Sequence, residues 1–107
     1  MNAPNIEYGP NPTREEIDAL AGPVVLNFGT NWCGHCQGAA SAIAAALQNF
    51  PSVQHIGIED GPGRKLGRSF TIKLWPTLIF LKDGQEQTRL VRPDDANEIR
   101  TALESIS

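Results

Sequence analysis

Residues 23–36 read Pro23-Val24-Val25-Leu26-Asn27-Phe28-Gly29-Thr30-Asn31-Trp32-Cys33-Gly34-His35-Cys36. The first six form a near-continuous apolar run, the pattern of a central strand covered on both faces. From Cys33 to about Asn49 the chain is alanine-rich, and Cys36, Ala40, Ile43 and Leu47 recur at helical spacing. The stretch therefore predicts a buried strand that becomes a helix, with a C-x-x-C at the junction. Cys33 and Cys36 are the only cysteines of the chain. Two thiols at this spacing can close one small disulfide ring, or pass that disulfide to another protein. Dithiol chemistry is thus the leading reading.

The other elements are placed around this junction. Thr13 and Glu16 form a capping box, which predicts a helix at about 13–21 with Ile17, Leu20 and Ala21 on its apolar face. Pro51-Ser52 ends the cysteine-bearing helix, and Val53–Ile58 reads as the next strand. Gly61-Pro62-Gly63 turns into a short helix from about Arg64 to Phe70. Thr77–Lys82 and Gln85–Val91 flank Asp83-Gly84, a strong hairpin signal. Asp94 is expected to cap a terminal helix that turns Ala96, Ile99, Leu103 and Ile106 inward. Residues 1–12 are rich in Pro and Asn and are expected to be loosely ordered, apart from a short first strand near Ile6–Tyr8. There is no internal repeat, so residues 1–107 are read as a single domain. The order β-α-β-α-β-α-β-β-α is that of an α/β protein, its sheet mixed because the hairpin adds an antiparallel pair.

A net charge of −3 with 40% apolar and 20% charged residues gives no global pull toward nucleic acid or an anionic membrane. The local run Arg64, Lys65, Arg68 and Lys73 reads as a solvated helix face in preference to a docking patch for an acidic partner. No apolar run approaches the roughly 20 residues a membrane span needs. Met1–Asn5 lacks the basic-then-apolar pattern of a secretory signal. The expectation is a cytoplasmic monomer. In that reducing compartment a lone C-x-x-C is catalytic or metal-binding more often than a structural staple. Zinc is the weaker of those two: Cys33 and Cys36 with His35 and His55 offer ligands, but the second clustered pair of a structural site is lacking, and no metal is expected.

Cys33, at the start of its helix, faces unpaired backbone N–H groups and the positive end of the helix dipole, which favour a thiolate. Cys36, one turn inside, should be more buried. Cys33 is accordingly assigned as the nucleophile and Cys36 as the resolving thiol. His35 lies between them, and an imidazolium there would stabilise the thiolate and make the domain a stronger oxidant.

Three separated features, Trp32-Cys33-Gly34-His35-Cys36, Trp75-Pro76-Thr77 and the Lys82-Asp83-Gly84 hairpin before a terminal helix, make the chain resemble the thioredoxin family along nearly its whole length. The resemblance implies the thioredoxin fold, a central mixed five-stranded sheet of order 1-3-2-4-5 flanked by four helices. It implies a thiol–disulfide oxidoreductase that reduces or exchanges protein disulfides, with no cofactor beyond the redox-active Cys33-Cys36 pair. Its partners would be disulfide-containing proteins, with a flavin-containing thioredoxin reductase or the glutathione system as electron donor. The Gly34-His35 dipeptide resembles that of protein disulfide isomerases. Pro76 matches a proline that is cis in the family and presents neighbouring backbone to substrate. Trp75 stands where the family often has a smaller aliphatic residue, and with Trp32 it would form two aromatic walls near Cys33. The alternative is a thioredoxin-like adaptor or chaperone that binds extended peptides with little redox turnover.

The chain also departs from the family. Asn27 stands in place of a buried Asp that helps deprotonate the resolving thiol, and His55 stands where a Lys is frequent. Strand parity puts residues 25, 27 and 29 on one face, and 53, 55 and 57 on one face of the neighbouring strand. His55 either accepts the Cys36 proton, through a water, or simply satisfies Asn27. Ser41 replaces a proline that often kinks the second helix. Arg92 lies where a glycine usually leaves room for substrate, which suggests narrower substrates or an acidic partner.

Overall fold

The computed structural model describes residues 8–107. Its elements are α1 (Arg14–Asp18), β1 (Pro23–Gly29), α2 (Gly34–Leu47), β2 (Gln54–Glu59), α3 (Lys65–Ser69), β3 (Thr77–Lys82), β4 (Gln85–Val91) and α4 (Ala96–Glu104). Among the described residues the sheet has four strands, not five, in the order β2-β1-β3-β4 in place of 1-3-2-4-5. Neighbour relations among these four segments are those expected. Of the strand expected near Ile6–Tyr8, Ile6 and Glu7 lie outside the described residues, and Tyr8 belongs to no strand. The chain after it does run beside β2, where the Gly9 N–H donates to the Gly57 carbonyl at 3.1 Å. β1 is parallel to β2 and antiparallel to β3, and β3 is antiparallel to β4.

The apolar run of β1 is explained by helices on both of its faces. Val24, Leu26 and Phe28 join Ile79 and Leu81 of β3 on one face, packed with Ile17 of α1 and Leu66 of α3. Val25 joins Leu78 and Phe80 on the other, packed with Ile43 of α2 and Ile99 and Leu103 of α4. Full burial of each such side chain contributes about 1.5–3 kcal/mol. By the same alternation, Asn27 projects toward the face covered by α2.

Two boundaries differ from the sequence expectation. The capping box forms, with the Thr13 hydroxyl accepting from the Glu16 N–H and the Glu16 carboxylate from the Thr13 N–H, but α1 ends at Asp18. Gly22 and Pro23 follow closely, and Ala21 is exposed beyond the helix. At α4 the cap is Asp95, not Asp94; its carboxylate accepts from the Asn97 N–H at 2.8 Å. Two adjacent aspartates have equal capping propensity, and the choice falls to the burial of Ile99, Leu103 and Ile106, which sets the helix phase. Ala96 is only half-buried.

Asp83 and Gly84 join β3 to β4 with φ of 52° and 80°, the left-handed pair of a two-residue type I′ hairpin. Asp83 also accepts from the Gly22 N–H at 2.8 Å and donates its own N–H to the Gly22 carbonyl at 3.1 Å, which ties the hairpin tip to the start of β1. A Cβ on Gly84 would collide with the Asp18 carbonyl oxygen. Gly84→Ala should therefore destabilise the protein by about 2–4 kcal/mol, from left-handed strain plus overpacking, read as a lowered urea midpoint.

Candidate active site

β1 ends at Gly29, and the following loop brings Cys33 to the N-cap of α2. Cys33 has the extended backbone of a cap (φ −80°, ψ 118°), and its Sγ accepts from the Cys36 N–H at 3.1 Å. Sulfur thus fills the seat that Ser or Asp usually takes. Both cysteines are free thiols. Cys33 is 7% exposed and Cys36 2%, the expected order but a narrow gap. Tyr8 is buried in one cluster with both, and the half-buried Trp75 packs against that cluster. Burial, reinforced by the neighbouring Cys33, pushes the Cys36 thiol up to about 11.

Trp32 is 75% exposed and meets Trp75 edge to face, with ring centroids 5.7 Å apart. The Trp75–Pro76 peptide is cis. Pro76 and Arg92 line a cleft of about 280 Å³ with Gly34, His35, Gly38 and Asp94, so the cleft includes the two residues between the cysteines but neither cysteine. Arg92 has a φ of 52° and lays its Nε on the Trp75 carbonyl at 2.9 Å. Thr77 is buried, and its hydroxyl donates to the Leu74 carbonyl, so its side chain holds the turn that carries Trp75 and Pro76. Ser41 is exposed, and α2 runs through it without interruption.

Asn27 is fully buried. Its Oδ1 accepts from the Tyr8 hydroxyl at 3.2 Å, and its Nδ2 lies 3.3 Å from His55 Nε2. An amide nitrogen can only donate, so the imidazole Nε2 accepts. Burial pulls the His55 pKa down, consistent with a neutral ring. The geometry favours the second reading of this pair, since the lone pair that would accept a proton from Cys36 already faces Asn27.

Two residues of the site escaped the sequence reading. Tyr8 belongs to no motif and reaches the dithiol only through the fold. Asp60 lies just past β2, and its Oδ2 accepts from Trp75 Nε1 at 2.9 Å. Gly67 makes room for it, because a Cβ there would overlap the Asp60 carboxylate. That buried helical glycine was the one available signal. The basic run gives no focus: Arg64, Lys65, Arg68 and Lys73 are all exposed, and Arg64 pairs with Glu59 at 2.7 Å. Among the described residues no three His, Cys, Asp or Glu side chains gather so as to hold a metal ion, and no helix is long and apolar enough to cross a membrane.

The family model described as Thioredoxin matches residues 10–105. Thioredoxin Asp f 28 of Aspergillus fumigatus is 28% identical over 97 residues, covering 91% of this chain and 90% of that protein. An H-type thioredoxin of Populus jackii is 34% identical over 86 residues, 78% of this chain. This chain spans only 62% of the length of that poplar protein, and 61% of an H-type thioredoxin of Oryza sativa subsp. indica. Among solved structures, thioredoxin 2 of Pseudomonas aeruginosa PAO1 in its reduced form is 52% identical, covers 92% of each chain and superposes with a TM-score of 0.82.

Two outcomes follow from the packing around Asn27 and Gly29. A Cβ on Gly29 would lie 2.5 Å from Cys36 Sγ and 3.0 Å from the Tyr8 ring. Gly29→Ala should cost about 1–3 kcal/mol in a urea titration. His55 has a folded pKa below its ordinary 6.5, so as pH falls through that value the unfolded chain takes up a proton the folded one refuses. Its contribution to stability is present above that value and lost below it. The urea midpoint should fall between about pH 7.5 and about 5.5, and His55→Gln should flatten the slope.

Proposed function

The chain belongs to the thioredoxin family, and on that premise we propose that it reduces or exchanges disulfides in other proteins, with Cys33 attacking and Cys36 resolving. The family and the close-spaced cysteine pair carry thiol–disulfide oxidoreductase chemistry. The observation that supports the unequal roles is the Cys33 sulfur seated at the N-terminus of α2, 3.1 Å from the Cys36 N–H, with Cys36 the more buried of the two. The backbone donors there favour negative charge on sulfur.

In the first step the Cys33 thiolate attacks one sulfur of a substrate disulfide. The substrate S–S bond breaks, its other sulfur leaves with the electron pair, and a mixed disulfide forms. In the second step Cys36 attacks Cys33 Sγ and expels the remaining substrate sulfur. Cys33-Cys36 is then oxidised, and the substrate has gained two electrons and two protons. An external thiol reductant, either the dithiol of a flavin-containing reductase or two molecules of glutathione, returns the pair to the reduced state and is itself oxidised to a disulfide. The cycle runs in a monomer and fits the reducing cytoplasm. No further cofactor is needed.

Substrate backbone docks along Trp75 and Pro76, with the exposed Trp32 as a side wall. Gly34 and His35 line the cleft. His35 biases the pair toward oxidation or isomerisation when charged. Arg92 holds the Trp75 carbonyl, so a substrate that pairs with that carbonyl must draw the guanidinium away. Substrates with an acidic residue near the scissile disulfide do so best. The same Arg92 contact favours the second reading, an adaptor that binds extended peptides with little turnover.

Insulin reduction by dithiothreitol separates the two. The wild type should accelerate it and Cys33→Ser should abolish the acceleration. Cys36→Ser should accumulate mixed disulfides on Cys33 in a lysate. Peptide binding with neither acceleration nor trapped substrate would establish the adaptor.

A further inference from the structure

The resolving step requires negative charge on a buried sulfur, and the carboxylate expected nearby is replaced by Asn27. What touches Cys36 instead is Tyr8, the only tyrosine of the chain. It is buried in one small cluster with both cysteines. Gly29 permits the approach. A Cβ there would lie 2.5 Å from Cys36 Sγ and 3.1 Å from Tyr8 Cζ, the ring carbon that bears the hydroxyl. Phenol and sulfur thus converge over one bare backbone position.

The hydroxyl has one hydrogen-bond partner, Asn27, and a sulfur close by. It donates to Asn27 Oδ1 at 3.2 Å, a long bond, while Cys36 lies beside it. Asn27 is held in this orientation by His55, which lies 3.3 Å from its Nδ2. A phenolic O–H can turn between two acceptors without moving the ring, and it can accept an S–H while donating elsewhere.

We propose that Tyr8 is a catalytic residue of the resolving step: its hydroxyl leaves Asn27 and donates to Cys36 Sγ as that sulfur becomes a thiolate, with Asn27 and His55 as positioning residues. This rests on the dithiol mechanism above. Cys36 gives its proton to solvent. Its sulfur forms the bond to Cys33 Sγ as the Cys33–substrate S–S bond breaks. The electron pair leaves on the substrate sulfur, which takes up a proton in turn. Tyr8 gains and loses no proton overall. Burial, with the two thiols beside it, holds the phenol above its ordinary pKa, so it remains a donor throughout. A donor beside the place where charge develops lowers the barrier, and here only the hydroxyl has to turn while the ring stays in place.

The aromatic disulfide of Ellman's reagent reports the two steps separately. Attack by Cys33 releases one coloured thiolate, and resolution by Cys36 releases the second. In rapid mixing, Tyr8→Phe should slow the second release roughly ten- to hundredfold and change the first by less than about twofold. A second release at the wild-type rate overturns the proposal, as does equal slowing of both, which would mark a general loss of structure. A wild type that never gives the second release overturns the dithiol mechanism, and the Tyr8 role with it.

An independent measurement uses the Cys33→Ser background, where the titratable groups facing Cys36 reduce to Tyr8 alone. The pH at which Cys36 becomes reactive to iodoacetamide should rise when Tyr8 is Phe, and an unchanged profile overturns the assignment.

Discussion

Every helix must satisfy the N–H groups of its first turn, and α2 does so with sulfur. The bond from the Cys36 N–H to Cys33 Sγ is at once a helix cap and a link between two reacting atoms. The rest of the structure serves this placement. β1 has to be buried on both faces to fix where its last residue points, which demands α1 and α3 on one side and α2 and α4 on the other. Gly29 has to lack a side chain so that the second sulfur can settle against the strand end. Trp75 has to cover the pair, and it is held from two directions, by Asp60 at its indole and by Arg92 at its carbonyl.

The polar layer beneath the sulfurs follows a different logic. Tyr8, Asn27 and His55 form a short series in which each group meets the next, and the imidazole is kept neutral by burial. A buried carboxylate would carry a desolvation cost of its own and would need a partner charge. An amide between a phenol and a neutral imidazole has its hydrogen bonds met without any formal charge. The series orients and donates; it does not store a proton.

Much of this was legible in the sequence because it rests on repetition. β1, α2 and the Asp83-Gly84 hairpin each carry a pattern over several residues, and periodicity survives tertiary packing. Single-residue decisions did not read as well. Asp94 and Asp95 are equivalent until the burial of α4 selects between them, and α1 stops where the chain must turn into β1. Tyr8 and Asp60 are beyond any local pattern. Each reaches its partner across many residues, 19 from Tyr8 to Asn27 and 15 from Asp60 to Trp75, and only the folded sheet brings them together. The pairing of Asn27 with His55 was accessible from strand parity, but which way the amide faces was not.

The aromatic census has a further consequence. The chain has two tryptophans and one tyrosine, and all three lie at the dithiol. Every indole and phenol chromophore therefore belongs to one small region of the molecule. Tryptophan and tyrosine fluorescence, and near-ultraviolet dichroism at wavelengths above the phenylalanine bands, which in most proteins average over the whole fold, here sample the region around two sulfur atoms. The protein carries its own optical gauge, and that gauge looks at the neighbourhood of the reacting pair.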